Sequence, residues 1–190
     1  MSINSKNEIL WTKEELIRAS KGKDLTKKFL NEKKVTGISI DSRSIKQNDL
    51  FIAIKGQNYD GHDFLEKALK NGASGLIVSC KDSALKYDGL FVRNTYETLI
   101  NIAEFNRDRF KGLLIGITGS NGKTTTKDMA KIIFSEFGKT FATPGNNNNI
   151  IGLSLSLMRL PYNSNYCILE LGMSKKNELK KLSLIAKPDL

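Results

Sequence analysis

A glycine-rich segment near the middle of the chain constrains its fold more than any other feature. It reads Gly116-Ile117-Thr118-Gly119-Ser120-Asn121-Gly122-Lys123-Thr124-Thr125-Thr126. The apolar run 113–117 comes before the loop, and Met129, Ile132, Ile133 and Phe137 recur after it at helical spacing. Strand, glycine-rich loop and helix in this order are typical of a phosphate-binding site. The sequence therefore predicts an α/β domain that binds a nucleotide through its phosphates.

Each part of this loop has a predicted role. Backbone N–H groups close around phosphate oxygens, Lys123 reaches the β- and γ-phosphates, and the Thr124 hydroxyl binds Mg²⁺. The predicted cofactor-binding residues are Gly119, Ser120, Asn121, Gly122, Lys123, Thr124 and Thr125. The loop departs from the usual G-x-x-x-x-G-K-[ST] pattern, because Ile117 stands where that pattern has its first glycine. A glycine-rich connecting turn is the alternative interpretation.

The composition narrows the possible classes of protein. With 190 residues, an apolar fraction of 39% and a net charge of +10, the chain suits one large or two small globular domains. The charge raises the possibility of a nucleic-acid partner. However, the lysines are spread along the chain and are not interleaved with aromatic residues, so solvated lysine faces explain the charge better. We expect no nucleic-acid binding.

The sequence also bears on the compartment. Residues 1–15 are polar, with no apolar signal-peptide core, and no apolar run approaches the ~18 residues of a membrane span. Cys80 and Cys167 each lie in or beside an apolar run, which favours two buried strand thiols over a disulfide or a metal pair. These features predict a cytoplasmic protein without a membrane span.

Elements alternate between strand and helix along the chain. The predicted first unit, 1–110, is a small α/β domain, and the predicted second unit, 111–190, is the front half of a parallel α/β domain. Pro188-Asp189-Leu190 resembles the entry to another strand. A sheet that stopped there would leave backbone groups unpaired, so we expect the polypeptide to be a fragment or truncated copy of something longer.

Glu170 is a candidate metal ligand because it ends the predicted strand 166–171, and ligands bind at the carboxyl ends of strands in open α/β sheets. The alternative is a glutamate that merely begins a loop.

Together these motifs resemble the Mur ligase family of ATP-dependent amide ligases. The resemblance rests on Asp41-Ser42-Arg43, 49–56, Asp60-Gly61-His62-Asp63-Phe64, 118–125, the asparagine loop 145–152 and Glu170-Leu171-Gly172. The double asparagine and Glu-Leu-Gly favour the branch that adds D-alanyl-D-alanine. The phosphate loop itself is shared with folylpolyglutamate synthases.

The resemblance implies a UDP-substrate domain at 1–110 and a truncated ATP-binding domain at 111–190. It implies ATP and Mg²⁺ as cofactors, and UDP-N-acetylmuramoyl-tripeptide and D-alanyl-D-alanine as substrates. Implied catalytic residues are Lys123 and Glu170, with Thr124 and Glu170 as metal ligands. Implied substrate-binding residues are Ser42, Arg43, Asn148 and Asn149. The family's carbamylated lysine, adenine site and third domain are implied to lie beyond residue 190, and we expect a monomer.

Several alternatives remain at this point. Asp41 and Arg43 could form a surface turn, the asparagines could be a solvated polar turn, and His62 suits helix capping or packing as well as nucleotide contact. The chain could belong to another Mur or folylpolyglutamate-type ligase. It could also be a nucleotide-binding module that does not complete ligation.

Overall fold

The structure is a computed structural model that describes residues 10–31, 33–145, 147–173 and 176–190. It has α/β architecture with two predominantly parallel sheets, which confirms the predicted fold class. The chain divides into two compact units, Met1–Asn101 and Ile102–Leu190. This division lies within a helix, before the boundary at residues 110 and 111 that the sequence suggested, and the assignment of domains to functions remains a prediction.

The element bounds agree closely with the sequence pattern. The helices are α1 (Lys13–Ser20), α2 (Leu65–Lys70), α3 (Lys81–Lys86), α4 (Thr95–Arg109), α5 (Lys123–Ser135), α6 (Ile150–Arg159) and α7 (Glu178–Ala186). The strands are β1 (Lys23–Asp24), β2 (Gly37–Ser39), β3 (Asp49–Ile52), β4 (Gly75–Val78), β5 (Leu90–Phe91), β6 (Leu113–Ile117), β7 (Thr140–Ala142) and β8 (Tyr166–Glu170). The two-residue β1 and the polar α3 were not predicted.

The first unit contains a five-stranded sheet in the order β1-β5-β4-β3-β2, in which β1 alone runs antiparallel to its neighbour. Every residue of β3 and β4 is buried. Their side chains share a core with α2 and α3 that includes Phe51, Leu65, Leu76 and Ala84. A short 3-10 turn, Gly61–Phe64, leads into α2.

The second unit contains the parallel sheet β6-β8-β7. All residues of α6 from Gly152 to Met158 are buried, and this helix packs on α7 and β8. After α7, the N–H groups of Asp189 and Leu190 donate to the Leu114 carbonyl, and the Gly116 N–H donates to Leu190. The segment 188–190 therefore pairs with the edge of β6 that β8 leaves open, in the manner expected of a strand entry.

Two expectations need correction or refinement. Cys80 is exposed at the start of α3, so the prediction that both thiols are buried was wrong for this one; Cys167 is buried in β8 as expected. The four apolar residues whose spacing predicted the inner face of α5 are exposed: Ile132 is 68% exposed and Phe137, just after the helix, is 73% exposed, as are Met129 and Ile133 at 60% and 58%. The fully buried side chain of α5 is instead Lys127.

Within the described residues, no helix combines the length and the apolar character that crossing a membrane would require.

Candidate phosphate and metal site

The glycine-rich loop joins β6 to α5, as its sequence predicts. Gly119, Ser120 and Asn121 lie in the connection, and Gly122 is the residue before the helix, with φ 77° and no side-chain capping bond. Glycine adopts that left-handed backbone conformation without the steric cost that a Cβ atom brings. Since no side chain caps the helix at this position, the N–H groups of its first turn, which includes Lys123, Thr124 and Thr125, can turn toward an anion.

Lys123 folds back over the loop from the first position of α5. Its Nζ donates to the carbonyl of Gly119 at 2.7 Å and to that of Ser120 at 3.4 Å. The ammonium is thus held against the loop's own backbone, which places a positive charge where phosphate groups would lie.

Thr124 and Glu170 meet at the carboxyl ends of the parallel strands. The Thr124 hydroxyl donates to Oε2 of Glu170 at 2.9 Å, and Nδ2 of Asn148 donates to Oε1 at 3.0 Å. Glu170 is 2% exposed, so its carboxylate depends on these polar partners for stabilisation. The structure therefore brings together three of the residues that the sequence singled out.

The main chain at Glu170 is also fixed. Its N–H donates to Oγ1 of Thr143 at 3.0 Å, and the N–H of Thr143 donates to the Ile168 carbonyl, also at 3.0 Å. Thr143 follows β7 and is itself 2% exposed. Sequence reasoning missed this residue, because the contact joins the segment after β7 to the end of β8, 27 positions apart in the chain.

The donor chemistry of this site fits Mg²⁺. Thr124 and Glu170 contribute a hydroxyl and a carboxylate whose oxygens lie 2.9 Å apart, and Mg²⁺ prefers such hard oxygen ligands. Among the described residues there is no cluster of three or more His, Cys, Asp or Glu side chains that could hold a metal alone. A magnesium ion here would need further oxygens from phosphate groups and water, as is usual for nucleotide-bound Mg²⁺.

The two asparagines of the predicted substrate loop have different roles in the structure. Asn148 contacts Glu170, whereas Oδ1 of Asn149 accepts the Gly152 N–H at 2.8 Å and caps α6. A side chain at Gly152 would clash, since a Cβ there would lie 2.6 Å from Cα of Asn147. The loop is therefore held tightly against the start of α6. Asn146 lies outside the described residues.

The other predicted substrate residues line a separate cleft of about 440 Å³ in the first unit. Its walls comprise Ile40, Asp41, Ser42, Arg43, Phe51, Ile54, Tyr59, Gly61, Phe64 and Lys67. Apolar and aromatic walls with a few polar groups are typical of small-molecule sites of this size.

In the wall of the cleft, the Arg43 guanidinium forms a bidentate ion pair with the Asp41 carboxylate. Nε donates to Oδ1 at 2.9 Å, and Nη2 donates to Oδ2 at 2.8 Å. The hydrogen bond from the Arg43 side chain lowers the pKa of Asp41 to about 2. Ser42 is 6% exposed, and its carbonyl accepts from Asn71. The turn at residues 41–43 is therefore held by an ion pair and also forms part of the cleft wall.

His62 has a structural role. Its Nε2 accepts the backbone N–H of Ser79 at 2.9 Å, which leaves Nδ1 to donate to Asp60 at 2.6 Å. These contacts agree with the capping and packing interpretation.

Comparisons with known proteins match both units. The Mur ligase family catalytic domain matches residues 34–110, and the Mur ligase middle domain matches residues 117–190. A relative from Bacillus subtilis (strain 168), UDP-N-acetylmuramoyl-tripeptide–D-alanyl-D-alanine ligase, is 37% identical over 82% of this chain and 34% of its own length. The same ligase from Treponema pallidum is 39% identical over 80% of this chain and 36% of its own length.

Solved structures give the same result. The D-alanyl-D-alanyl ligase from Acinetobacter baumannii has a TM-score of 0.79 and 30% identity, covering 94% of this chain and 40% of that one. MurF ligase from Thermotoga maritima in complex with ADP has a TM-score of 0.66 and 32% identity, covering 82% of this chain and 36% of that one. The chain thus spans about a third of the length of the curated relatives.

Proposed function

The chain belongs to the Mur ligase family, and on that premise we propose that it forms part of a ligase that joins D-alanyl-D-alanine to UDP-N-acetylmuramoyl-tripeptide in peptidoglycan precursor synthesis. In this proposal residues 1–110 bind the UDP-linked substrate, and residues 111–190 bind the phosphates of ATP. The observation that carries it is the contact of Thr124 with the buried Glu170 beside the phosphate loop. A cytoplasmic location and a monomeric state belong to the same proposal.

The proposed chemistry requires charge neutralisation more than covalent help from the protein. An oxygen of the tripeptide carboxylate attacks the γ-phosphorus of ATP, and ADP leaves. The amine of D-alanyl-D-alanine then attacks the acyl carbon, phosphate leaves with that oxygen, and the amine loses a proton. Lys123 and the first-turn N–H groups of α5 would offset the charge on the transferred phosphoryl group. Thr124 and Glu170 would hold Mg²⁺, which supplies further neutralisation when bound.

Positioning would come from the remaining predicted residues. Asn148 donates to Glu170, and in this proposal its loop would present the peptide carboxylate to the phosphate site. Asn149 would act mainly by holding that loop on α6. In the first unit, Arg43 and the buried Ser42 border a cleft whose size and apolar walls suit a nucleoside diphosphate.

An isotope experiment tests this function. The tripeptide substrate is labelled with ¹⁸O in its terminal carboxylate and incubated with MgATP, D-alanyl-D-alanine and the protein. Acyl-phosphate chemistry transfers one ¹⁸O to the released phosphate, which mass spectrometry detects. Released phosphate that carries no ¹⁸O, or label transfer that is equally fast with Lys123→Ala, would contradict the proposal. Binding of MgATP and UDP-substrate without any transfer would favour the nucleotide-binding module instead.

A further inference from the structure

Lys127 is a buried charge that the proposed reaction does not use. It lies in the second turn of α5 and is 3% exposed, although lysine side chains are almost never fully buried unless they are paired. Its Nζ donates to the carbonyls of Thr143 at 3.2 Å and Gly145 at 3.4 Å, and the carboxylate of Asp128 lies 3.4 Å away. Two of the three ammonium donors therefore go to backbone carbonyls, and the Asp128 carboxylate forms an ion pair with the same group.

The burial and contacts of Lys127 distinguish two possible roles. A lysine that binds a ligand reaches a surface that the ligand can occupy, whereas Lys127 is 3% exposed. Lys127 instead directs its charge at backbone carbonyls on either side of Pro144, at the start of the asparagine loop. Its contacts are those of a clamp that joins α5 to the end of β7.

Hydrogen bonds connect the Lys127 contacts to the candidate metal site. The Thr143 carbonyl accepts a hydrogen bond from Lys127, and the Thr143 hydroxyl accepts one from the Glu170 N–H. Glu170 in turn accepts from Thr124, which is one helical turn before Lys127 on the same face of α5. The four residues are therefore linked by a continuous set of hydrogen bonds. Helix α5 contacts the end of β8 through Thr124 and the end of β7 through Lys127.

We infer that Lys127 is a positioning residue that fixes the carboxylate of Glu170 and the asparagine loop through Thr143. Because the same helix carries the phosphate loop, this contact keeps the nucleotide site and the asparagine loop in one arrangement. The importance of this arrangement for metal binding rests on the proposed function, whereas the positioning itself does not.

Native-state hydrogen exchange of the protein without nucleotide tests the positioning. Lys127→Met keeps the length and apolar stem of the side chain and removes its charge. We expect at least about tenfold faster exchange at the Glu170 N–H and at amides of the described part of the loop 143–149, because their anchoring contact is lost. Lys131→Met is the matched control, since Lys131 is exposed one turn later on the same helix. Equal protection of the Glu170 N–H in both variants would overturn the inference.

A second variant keeps the inference testable if Lys127→Met fails to fold. Thr143→Val removes the hydroxyl that receives the Glu170 N–H and leaves the ammonium contact with the Thr143 carbonyl possible. Faster exchange at Glu170 is expected, and wild-type protection would overturn the relay through Thr143.

Nucleotide binding then separates the inference from the proposed function. ATP affinity is measured with and without Mg²⁺, and we expect Lys127→Met to lower the Mg²⁺-dependent gain by about tenfold while the affinity without Mg²⁺ stays unchanged. An unchanged gain in a variant whose Glu170 has lost protection overturns the effect on metal binding. The metal assignment itself is tested by Glu170→Gln: if that variant keeps the full gain, the proposed function fails at this residue, while the exchange result for Lys127 stands.

Discussion

The hydroxyl of Thr124 and the carboxylate of Glu170 lie 2.9 Å apart, although the residues are 46 positions apart in the chain. Thr124 belongs to the first turn of α5, and Glu170 is the last residue of β8. Strand β8 pairs along its length with β6, the strand that leads into the phosphate loop. Parallel pairing therefore places the end of one strand beside the start of the helix that follows the other, and this fixes the contact.

Removing the hydroxyl should weaken metal-dependent nucleotide binding. Thr124→Val keeps the shape of the side chain but removes the donor to Glu170 and a proposed Mg²⁺ ligand. We expect ATP affinity in the presence of Mg²⁺ to fall by at least about tenfold, and ATP affinity in EDTA to change little. Titration calorimetry measures both. Thr126→Val, an exposed threonine on the same helix, is the control; similar losses in the two variants would contradict the role of Thr124.

On the proposed function, Lys123→Ala should abolish MgATP turnover of the ligase without unfolding the protein. The Nζ contacts of Lys123 are to the carbonyls of its own loop, and Thr124 and Glu170 do not depend on them. A change at such a site typically alters stability by no more than about 0.5 kcal/mol, whereas loss of the phosphate-facing charge removes a main source of neutralisation. Phosphate release and thermal unfolding are the two measurements. Normal turnover in a folded variant would contradict the assignment of the phosphate loop.

Much of this arrangement could be predicted from local sequence patterns. Helix α4 and strand β6 have the expected bounds, and the position of the loop between β6 and α5 was predicted correctly. These predictions succeed because glycines and apolar periodicity are local signals. Strand β1 was missed because two residues form it only by pairing with β5.

The details of the site were less predictable. The roles of Lys127 and Thr143 depend on contacts between α5, β7 and β8, and no local pattern encodes such contacts. A lysine one helical turn after Thr124 was the available signal, yet lysine in a helix is ordinarily solvated.

The ion pair in the first unit gives a prediction about pH. The hydrogen bond from Arg43 lowers the pKa of Asp41 from 3.8 to about 2. A carboxyl group with a lowered pKa contributes stability above its ordinary value and loses it as the pH falls through the lowered one. Both side chains are substantially exposed, so this contribution is small, but the ionisation of Asp41 can be followed directly.

We therefore expect Arg43→Gln to raise the pKa of Asp41 toward 3.8. At about pH 3 the Asp41 carboxyl should be mainly ionised in the wild type and mainly protonated in the variant. Carboxyl ¹³C NMR from about pH 5.5 to 3 measures the difference. Arg93→Gln, which changes an exposed arginine elsewhere in the unit, is the control. The same titration curve in all three proteins would show that Arg43 does not hold Asp41 ionised.

The two cysteines should differ sharply in reactivity. Cys80 is exposed, and the backbone N–H of Ser83 lowers the pKa of its thiol. Burial raises the pKa of the Cys167 thiol, which is 0% exposed in β8. Since the thiolate is the reactive form, a disulfide reagent at neutral pH should modify one thiol quickly and the second only in denaturant. Cys80→Ser should abolish the fast reaction and leave only the reaction that requires denaturant; a fast reaction that survives would contradict the exposure of Cys80.

The apolar residues of α5 and α6 should make very different contributions to stability. Leu157 is 0% exposed within α6, whereas Ile132 is 68% exposed on α5. Each change to alanine removes a similar amount of aliphatic side chain, but only Leu157→Ala leaves a cavity. We expect Leu157→Ala to lower the free energy of unfolding by about 2–5 kcal/mol and Ile132→Ala to change it by less than about 0.5 kcal/mol.

Urea denaturation of the protein monitored by far-UV circular dichroism compares the two variants under the same conditions. An equal loss of stability would mean that the Ile132 side chain is covered by other groups in solution. The expected difference follows from the way α5 packs on the sheet. The ring of Phe134 contacts that of Tyr166 in a tilted arrangement with centroids 4.8 Å apart, and Lys127 lies buried two turns earlier on this inner face. Ile132 is mostly exposed on this helix, so its truncation leaves no cavity in the packed core.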